Sequence, residues 1–183
     1  MNLIILGAPG SGKGTQARQL AERAGVRHIS SGDLLREAIA RKTELGQQVE
    51  AIIGAGELVP DEVVLKLIME ALVDSEGSNG WVLDGYPRNP DQAEALEDVL
   101  STNRQVVDAV IFLKVDADTI VERLLKRGRV DDTEDTIRTR LKVFEKETLP
   151  VVEFYELRYD VHEINGSMAI DEVANAIREL VDA

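Results

Sequence analysis

The 183-residue sequence contains no cysteine. A chain without thiols forms neither disulfide bonds nor a thiolate zinc site, and it fits a reducing compartment. Long apolar runs are also missing, because no segment approaches the roughly 20 consecutive apolar residues of a membrane span. The first apolar stretch, residues 3–6, meets glycine too soon for a signal peptide. We therefore expect a cytoplasmic protein with no membrane partner.

Positive charge is scarce as well. The chain has 21 Lys and Arg against 34 Asp and Glu, a formal net charge of −13. Such a surface repels nucleic acid and anionic membranes, so a nucleic-acid partner is not expected and any anionic ligand needs local positive charge. One substantial core fits this length, and coiled-coil heptads and surplus apolar stripes are absent. We expect a single domain over residues 1–183, present as a monomer.

Short apolar runs alternate with segments of helical periodicity. The alternation predicts a doubly wound α/β fold, in which a parallel five-stranded sheet carries helices on both faces. The predicted strands are residues 3–6, 26–29, 81–83, 106–115 and 161–164. The predicted helices are residues 13–24, 32–41, 61–73, 90–101, 117–127, 134–157 and 170–181. Ligands of such folds bind at the carboxyl ends of the strands.

A glycine-rich loop with a lysine joins the first predicted strand to the first predicted helix. Its sequence runs from Gly7 to Thr15, with Gly12 directly before Lys13. Glycines let backbone N–H groups curl around phosphates, the helix N-terminus adds partial positive charge, and Lys13 adds a full charge. The loop predicts a nucleoside triphosphate ligand. Gly14 stands where the motif has Ser or Thr, so the hydroxyl that would hold Mg²⁺ comes one residue later, at Thr15.

A second concentration of positive charge lies between residues 123 and 140 of this acidic chain. It comprises Arg123, Lys126, Arg127, Arg129, Arg138 and Arg140. Arg123 and Arg127 are four residues apart on one helix, so they project from the same face. Asp132 is the expected N-cap of the next helix. Guanidinium groups bind phosphate oxygens in pairs, and the cluster therefore favours a site crowded with phosphates.

Five spaced motifs together resemble the adenylate kinase family. In order along the chain, they are Gly7-Ala-Pro-Gly-Ser-Gly-Lys-Gly-Thr15-Gln16, Ser30-Ser-Gly-Asp33-Leu-Leu-Arg36, Glu57-Leu-Val59-Pro, Asp84-Gly-Tyr-Pro-Arg88 with Gln92, and Arg127-Gly-Arg129-Val-Asp-Asp132. The resemblance covers residues 2 to about 166. It implies reversible phosphoryl transfer between MgATP and AMP, giving two ADP, in adenine nucleotide homeostasis and salvage.

The resemblance also implies an organisation and an ATP site. Residues 1–29, 74–126 and 133–183 form the core, residues 30–73 a small insertion that binds the nucleoside monophosphate, and residues 127–132 a minimal lid. By the same resemblance, Asp84 is expected to hold Mg²⁺ through water. The ATP-binding residues so implied are Gly10, Ser11, Gly12, Lys13, Gly14, Thr15, Arg123, Arg127 and Gly166.

A second set of residues is implied to bind AMP. It comprises Ser31, Arg36, Glu57, Leu58, Val59, Gly85, Tyr86, Pro87, Arg88, Gln92, Arg129 and Arg140. The residues implied to be catalytic, by acting on the phosphoryl group during its transfer, are Lys13, Arg88, Arg123, Arg129 and Arg140. Some have simpler explanations: Asn89, Pro90 and Gln92 also read as a helix start with a capping box, and Asp33 and Asp84 as caps of a helix and a turn.

This sequence departs from the family in two places. Many members carry a long lid, some with cysteine-held zinc, between the positions of Arg127 and Arg129, where this chain has only Gly128. We expect a minimal lid without zinc. Ser31 replaces a threonine common beside the AMP base, so base preference depends on the Gln92 amide, which can donate to and accept from adenine's edge.

The expected chemistry needs no general base. The AMP phosphate, with a second pKa of about 6, is already largely ionised at neutral pH. His28 and His162 lie in predicted strands and are interpreted as structural. Two alternatives stay open on the sequence: a UMP/CMP-type kinase of the same fold, and a non-catalytic switch protein that binds ATP, which would not need a monophosphate pocket.

Overall fold

A computed structural model describes residues 1–73, 79–129 and 132–182 of the chain. The strands are β1 (Asn2–Gly7), β2 (Arg27–Ser30), β3 (Trp81–Asp84), β4 (Ala109–Lys114) and β5 (Val161–Asn165). The helices are α1 (Lys13–Ala24), α2 (Ser31–Ala40), α3 (Glu44–Ala55), α4 (Asp61–Val73), α5 (Pro90–Thr102), α6 (Ala117–Arg127), α7 (Glu134–Val143), α8 (Leu149–Glu156) and α9 (Ile170–Val181). A π-helical turn, Phe144–Thr148, joins α7 to α8.

The five strands form one parallel sheet in the order β2-β3-β1-β4-β5. The predicted doubly wound five-stranded fold is thereby confirmed, with strand bounds shifted by a few residues at most. The largest shift is in β4, which begins at Ala109 rather than at residue 106. Because all strands run the same way, the loops that follow them lie at one edge of the sheet.

Both faces of the sheet are buried. Alternate residues of β1 enter different clusters, with Ile4 and Leu6 in one core and Leu3 and Ile5 in the other. The first core contains residues of α4, α5 and α8, and the second contains residues of α1 and α9. This two-sided burial explains why the strands read as continuous apolar runs instead of alternating patterns.

Helix ends follow local capping chemistry at several sites. Asn89 caps α5, as predicted, because its side-chain oxygen accepts a hydrogen bond from the Gln92 backbone N–H at 2.7 Å and Pro90 occupies the first turn. Ser30, rather than Asp33, caps α2 by accepting from the Asp33 N–H at 3.3 Å. Asp33 instead forms an ion pair with Arg36.

The structure corrects the predicted cap of α7. Thr133, not Asp132, is the N-cap, and its hydroxyl accepts from the Thr136 N–H at 3.2 Å. The segment predicted as one helix over residues 134–157 is divided by the π-helical turn. The predicted insertion over residues 30–73 begins with the last residue of β2 and contains α2, α3 and α4. Residues 74–78, where the predicted core resumes, and residues 130–131 of the predicted lid lie outside the described residues.

The insertion touches α7 directly. Thr136 Oγ1 donates to the Gly54 carbonyl at 3.1 Å, which links α3 to the helix that follows the arginine-rich loop. Within residues 1–73, 79–129 and 132–182, no helix combines the length and apolar character needed to cross a membrane.

Candidate active site

A cavity of about 830 Å³ opens at the carboxyl edge of the sheet. It is lined from the loops after β1, β3 and β5, from α2 directly after β2, from the Glu57–Val59 segment, and from α6 and α7. The sheet order divides this lining into two halves. Residues that follow β2 and β3 form one half, and residues that follow β1, β4 and β5 form the other.

The loop after β1 wraps tightly around the start of α1. Gly10 adopts a positive φ of 85°, and a Cβ atom there would stand 2.9 Å from Leu124 Cγ. Only glycine therefore fits between this loop and α6. Lys13 Nζ donates to the Ala8 carbonyl at 2.9 Å, so the lysine folds back over the loop that its own helix closes.

Asp84 is buried and Lys13 is half-buried, and their opposite charges influence each other. Burial lowers the pKa of Lys13 to about 8, with Asp84 working against that fall and Arg88 and Arg127 adding to it. Burial works to raise the pKa of Asp84, but the His28 ring, 3.7 Å away, and the charges of Lys13 and Arg88 lower it overall. Asp84 is thus an ionised carboxylate at the end of β3.

Gly14 packs directly against the Asp84 carboxylate. A Cβ atom on Gly14 would lie 3.2 Å from Asp84 Oδ2, so a larger residue after Lys13 would crowd the carboxylate. This close approach favours glycine at the position where the phosphate-loop motif has Ser or Thr. His28, interpreted from the sequence as structural, is a partly buried neighbour of Asp84.

Asp132 gathers two arginines. Its carboxylate accepts from Arg127 Nε at 2.8 Å and Arg127 Nη2 at 2.6 Å, and from Arg140 Nη1 at 3.1 Å. The Arg129 backbone N–H adds a bond of 3.2 Å. These guanidinium groups draw Asp132 away from the helix end, which explains why the neighbouring Thr133 performs the capping. The contacts hold Arg127 and Arg140 together at the cavity.

Of the other arginines between residues 123 and 140, two line the cavity and one faces solvent. Arg123 Nη1 donates to the Gly166 carbonyl at 2.8 Å, which ties α6 to the loop after β5. Arg129 also lines the cavity. Arg138 does not, because it pairs with Glu134 on the exposed side of α7 and 69% of its side chain is exposed. The predicted convergence therefore includes four of the five arginines.

In the half of the cavity formed by residues that follow β2 and β3, the loop after β3 holds the other side chains in place. Ser31 Oγ and Arg88 Nε both donate to the Gly85 carbonyl, at 2.6 and 2.7 Å. Burial lowers the pKa of the Arg88 guanidinium, Asp84 opposes that shift, and the positive charges of Arg140 and Arg36 reinforce it. A half-buried guanidinium crowded by like charges is a strong site for an anion.

The structure brings nearly all predicted site residues to this one cavity. The residues that line it are Gly10, Ser11, Gly12, Lys13, Gly14, Thr15, Ser31, Arg36, Glu57, Leu58, Val59, Asp84, Gly85, Pro87, Arg88, Arg123, Arg127, Arg129, Arg140 and Gly166. Tyr86 and Gln92 are the exceptions. Tyr86 is fully buried, and Gln92 is 2% exposed and packed behind the loop that carries Pro87 and Arg88.

Several lining residues were not predicted. Thr148, in the π-helical turn, donates to the Arg88 carbonyl at 2.7 Å, and Phe144 begins the same turn. Met168, Ile170 and Val173 supply apolar surface beside Gly166. The π-helical turn has no sequence signature within a continuous helical pattern, although π turns are frequent at functional sites.

Across the part of the chain that the structure describes, no group of three or more His, Cys, Asp or Glu side chains could hold a metal ion. Mg²⁺ does not require such a cage, since it is usually held by one or two carboxylates together with substrate phosphates. Asp84, ionised and next to the phosphate loop, fits that mode.

A phosphate loop that opens a helix, a lysine facing the cavity, and a second basic pocket across the sheet edge define a P-loop kinase of small anionic substrates. The adenylate kinase family model matches residues 5–159. Adenylate kinase 1 of a Synechocystis species is 48% identical over 179 residues, covering 98% of this chain and 96% of that protein. The adenylate kinase of Nocardia farcinica is 45% identical over 181 residues, covering 98% of this chain and 99% of that protein.

The chain belongs to the adenylate kinase family. It is a nucleoside monophosphate kinase, a transferase that moves a phosphoryl group between ATP and AMP. The alternatives of a UMP/CMP-type kinase and of a non-catalytic switch are not favoured by this assignment. The family generally uses Mg²⁺ with ATP and binds nucleotide substrates.

Proposed function

We propose that the two halves of the cavity hold the two substrates of this reaction, with ATP after β1, β4 and β5 and AMP after β2 and β3. The observation that carries the proposal is the joining of two basic pockets in one cavity. Lys13 belongs to the first pocket and Arg88 to the second, and Arg140 interacts electrostatically with Arg88 while sharing Asp132 with Arg127.

At the ATP end, the backbone N–H groups of residues 10–15 cradle the phosphates and Lys13 reaches them from the loop. Arg123 and Arg127 close over them from α6. Lys13 gives up its bond to the Ala8 carbonyl when a phosphate arrives, and the phosphate offsets the burial that lowers its pKa. Gly166 and the apolar residues beside it receive the adenine.

At the AMP end, Arg36 and Arg88 bind the phosphate, while Ser31, Glu57, Leu58, Val59, Gly85 and Pro87 enclose the nucleoside. Arg36 must exchange its ion pair with Asp33 for the phosphate. Tyr86 shapes this pocket from behind, through a hydrogen bond of 3.2 Å from its hydroxyl to the Gln92 carbonyl. Gln92, which lies behind the loop of Pro87 and Arg88 in this structure, meets the base once AMP binding uncovers its amide.

Transfer of the phosphoryl group then depends on positioning and charge. Lys13, Arg88, Arg123, Arg129 and Arg140 offset the repulsion between two polyanions and the negative charge on the migrating group. A general base is not required, because the AMP phosphate enters ionised. Asp84, through water, would help to hold the Mg²⁺ that accompanies ATP, and that ion would neutralise phosphate charge.

We propose further that residues 30–73 close over AMP and that residues 127–132 act as a minimal lid over ATP. Closure excludes water, which would otherwise compete as the phosphoryl acceptor. The hydrogen bond from Thr136 to Gly54 supports a coupling between the two segments, because it joins the insertion to the helix after the lid. The enzyme is proposed to act as a zinc-free monomer in the cytoplasm, with ATP, AMP and ADP as its small-molecule partners.

Two measurements test these assignments. Pure protein given ADP and Mg²⁺ should form ATP and AMP in equal amounts, and chelation of Mg²⁺ should stop the reaction. Arg36→Ala should raise the KM for AMP about tenfold or more with little change for ATP, and Arg123→Ala should do the reverse, since each loses one charge-assisted contact. Equal effects of each variant on both KM values would refute the division into two halves.

A further inference from the structure

Asp61, the first residue of α4, bonds to a side chain on another helix. One of its carboxylate oxygens, Oδ1, accepts from Gln92 Nε2 at 2.7 Å. Both carboxylate oxygens also accept from Asn89 Nδ2, at 3.1 and 3.0 Å. Asp61 was not among the predicted site residues, and it does not line the cavity. It nevertheless stands two residues after Val59 and three before Val64, and both of these do.

Gln92 is held from its other side by the backbone. The Arg88 N–H donates to Gln92 Oε1 at 2.7 Å. A carboxylate can only accept and a backbone N–H can only donate, so the two contacts define which end of the amide is oxygen and which is nitrogen. Rotating the amide by 180° would set its oxygen against the Asp61 carboxylate and its NH₂ group against the Arg88 N–H.

The fixed amide has one N–H and one lone pair beyond those used by Asp61 and Arg88. Adenine offers a matching pair on its edge, since its 6-amino group donates and its N1 accepts. Hypoxanthine, the base of IMP, has the same bicyclic shape with the pattern reversed: its 6-oxygen accepts and its N1–H donates. An amide held in one orientation accepts the first pattern and rejects the second.

We infer that Asp61 is a specificity-determining positioning residue, which selects a 6-amino over a 6-oxo purine monophosphate by holding the Gln92 amide in a single orientation. The inference rests on the proposed role of Gln92 at the AMP base. Only 2% of Gln92 is exposed, so its amide is enclosed by protein and cannot turn freely.

The test compares AMP with IMP as phosphoryl acceptors at saturating MgATP. Asp61→Asn keeps the size of the side chain but replaces an acceptor-only group with one that can also donate. The ratio of kcat/KM for AMP to that for IMP should fall by about tenfold, the equivalent of one hydrogen bond, and the change should appear in KM more than in kcat. Asp61→Ser removes the carboxylate and carries the same prediction.

Asn89→Ser is the matched control. It removes the Nδ2 contacts to Asp61 yet keeps a hydroxyl that can cap α5, and the bond from Gln92 to Asp61 remains. Its AMP to IMP ratio should stay within about twofold of the parent ratio. Circular dichroism and thermal unfolding of each variant identify those that are folded, and the folded Asp61 variant decides the test if only one is.

Gln92→Ala separates the role of Gln92 in base recognition from that of Asp61 in positioning it. If it collapses the ratio while both Asp61 variants preserve it, Gln92 reads the base without help from Asp61 and the inference is wrong. If Gln92→Ala itself leaves the ratio unchanged, the proposed assignment of Gln92 to the base fails. If Asn89→Ser lowers the ratio as much as Asp61→Asn, the effect belongs to the helix cap, and the inference is overturned.

Discussion

Arg127 and Asp132 form a two-bonded ion pair, in which Nε and Nη2 of the arginine donate to the two oxygens of the carboxylate at 2.8 and 2.6 Å. The Asp132 side chain is fully buried, whereas a third of the Arg127 side chain is exposed. Arg140 shares the same carboxylate. Asp132 therefore offsets the mutual repulsion of two arginines that both face the cavity.

Asp132→Asn should weaken this cluster, because an amide lacks the charge and one of the acceptor oxygens. We expect the free energy of unfolding to fall by about 1–3 kcal/mol and the Tm by roughly 3–10 °C. Thermal unfolding in the absence of nucleotide measures the change. Asp135→Asn, an exposed carboxylate in the first turn of α7, is the control and should shift the Tm far less. Equal shifts would contradict the role given to Asp132.

Arg140 and Arg138 offer a matched comparison on one helix. Arg140 lines the cavity with 15% of its side chain exposed, and Arg138 is 69% exposed and paired with Glu134. Arg140→Ala should lower kcat by about two orders of magnitude or more, since it removes a charge that stabilises the transition state. Arg138→Ala should leave kcat within about twofold. Steady-state kinetics with unchanged circular dichroism checks both.

Binding of ATP should take up protons at alkaline pH. The free enzyme holds Lys13 at a pKa of about 8, and a bound polyphosphate raises that pKa because it favours the charged form. At about pH 7 the lysine is already charged, so uptake is small, whereas at about pH 9 most molecules must gain a proton. Calorimetry in buffers of different ionisation enthalpy counts these protons.

Lys13→Arg supplies the control for proton uptake, because arginine stays charged throughout this range. Its proton uptake on binding ATP should be near zero at both pH values. A parent enzyme that releases protons, or takes up as many at neutral pH as at alkaline pH, would contradict the depressed pKa of Lys13.

Two glycines should respond in opposite ways to alanine. Gly10→Ala brings a Cβ to 2.9 Å from Leu124 at a positive φ, so both stability and ATP affinity should fall. Gly54, inside α3, has no neighbouring atom within 4 Å of such a Cβ, and alanine there should raise stability by about 0.5–1 kcal/mol. Thermal unfolding with and without ATP distinguishes the two.

Local chemistry made much of this site predictable. The glycine-rich loop, the apolar strands and the paired arginines of α6 each encode their structure within a few residues, and the parallel sheet then brings their loops together. The choice between Asp132 and Thr133 as the cap of α7 was not local. Both are good capping residues, and guanidinium groups of Arg127 and Arg140 decide the outcome.

Other features depend on contacts between distant parts of the chain. The bond from Asp61 to Gln92 spans 31 residues, and that from Thr148 to Arg88 spans 60. A sequence shows the polar side chains but not which of them meet. Gln92 illustrates this point: its spacing after Asn89 suggested a capping box, whereas its amide bonds instead to Arg88 and Asp61.

A group of arginines and one lysine line the cavity of a chain whose net charge is −13, and this distribution of charge also affects turnover. A nucleotide that leaves the cavity is repelled by the negatively charged surface of the protein, so it diffuses away and does not adsorb to that surface. Added salt should screen both the attraction at the cavity entrance and the repulsion at the outer surface. The rates of nucleotide association and of product release should therefore fall together.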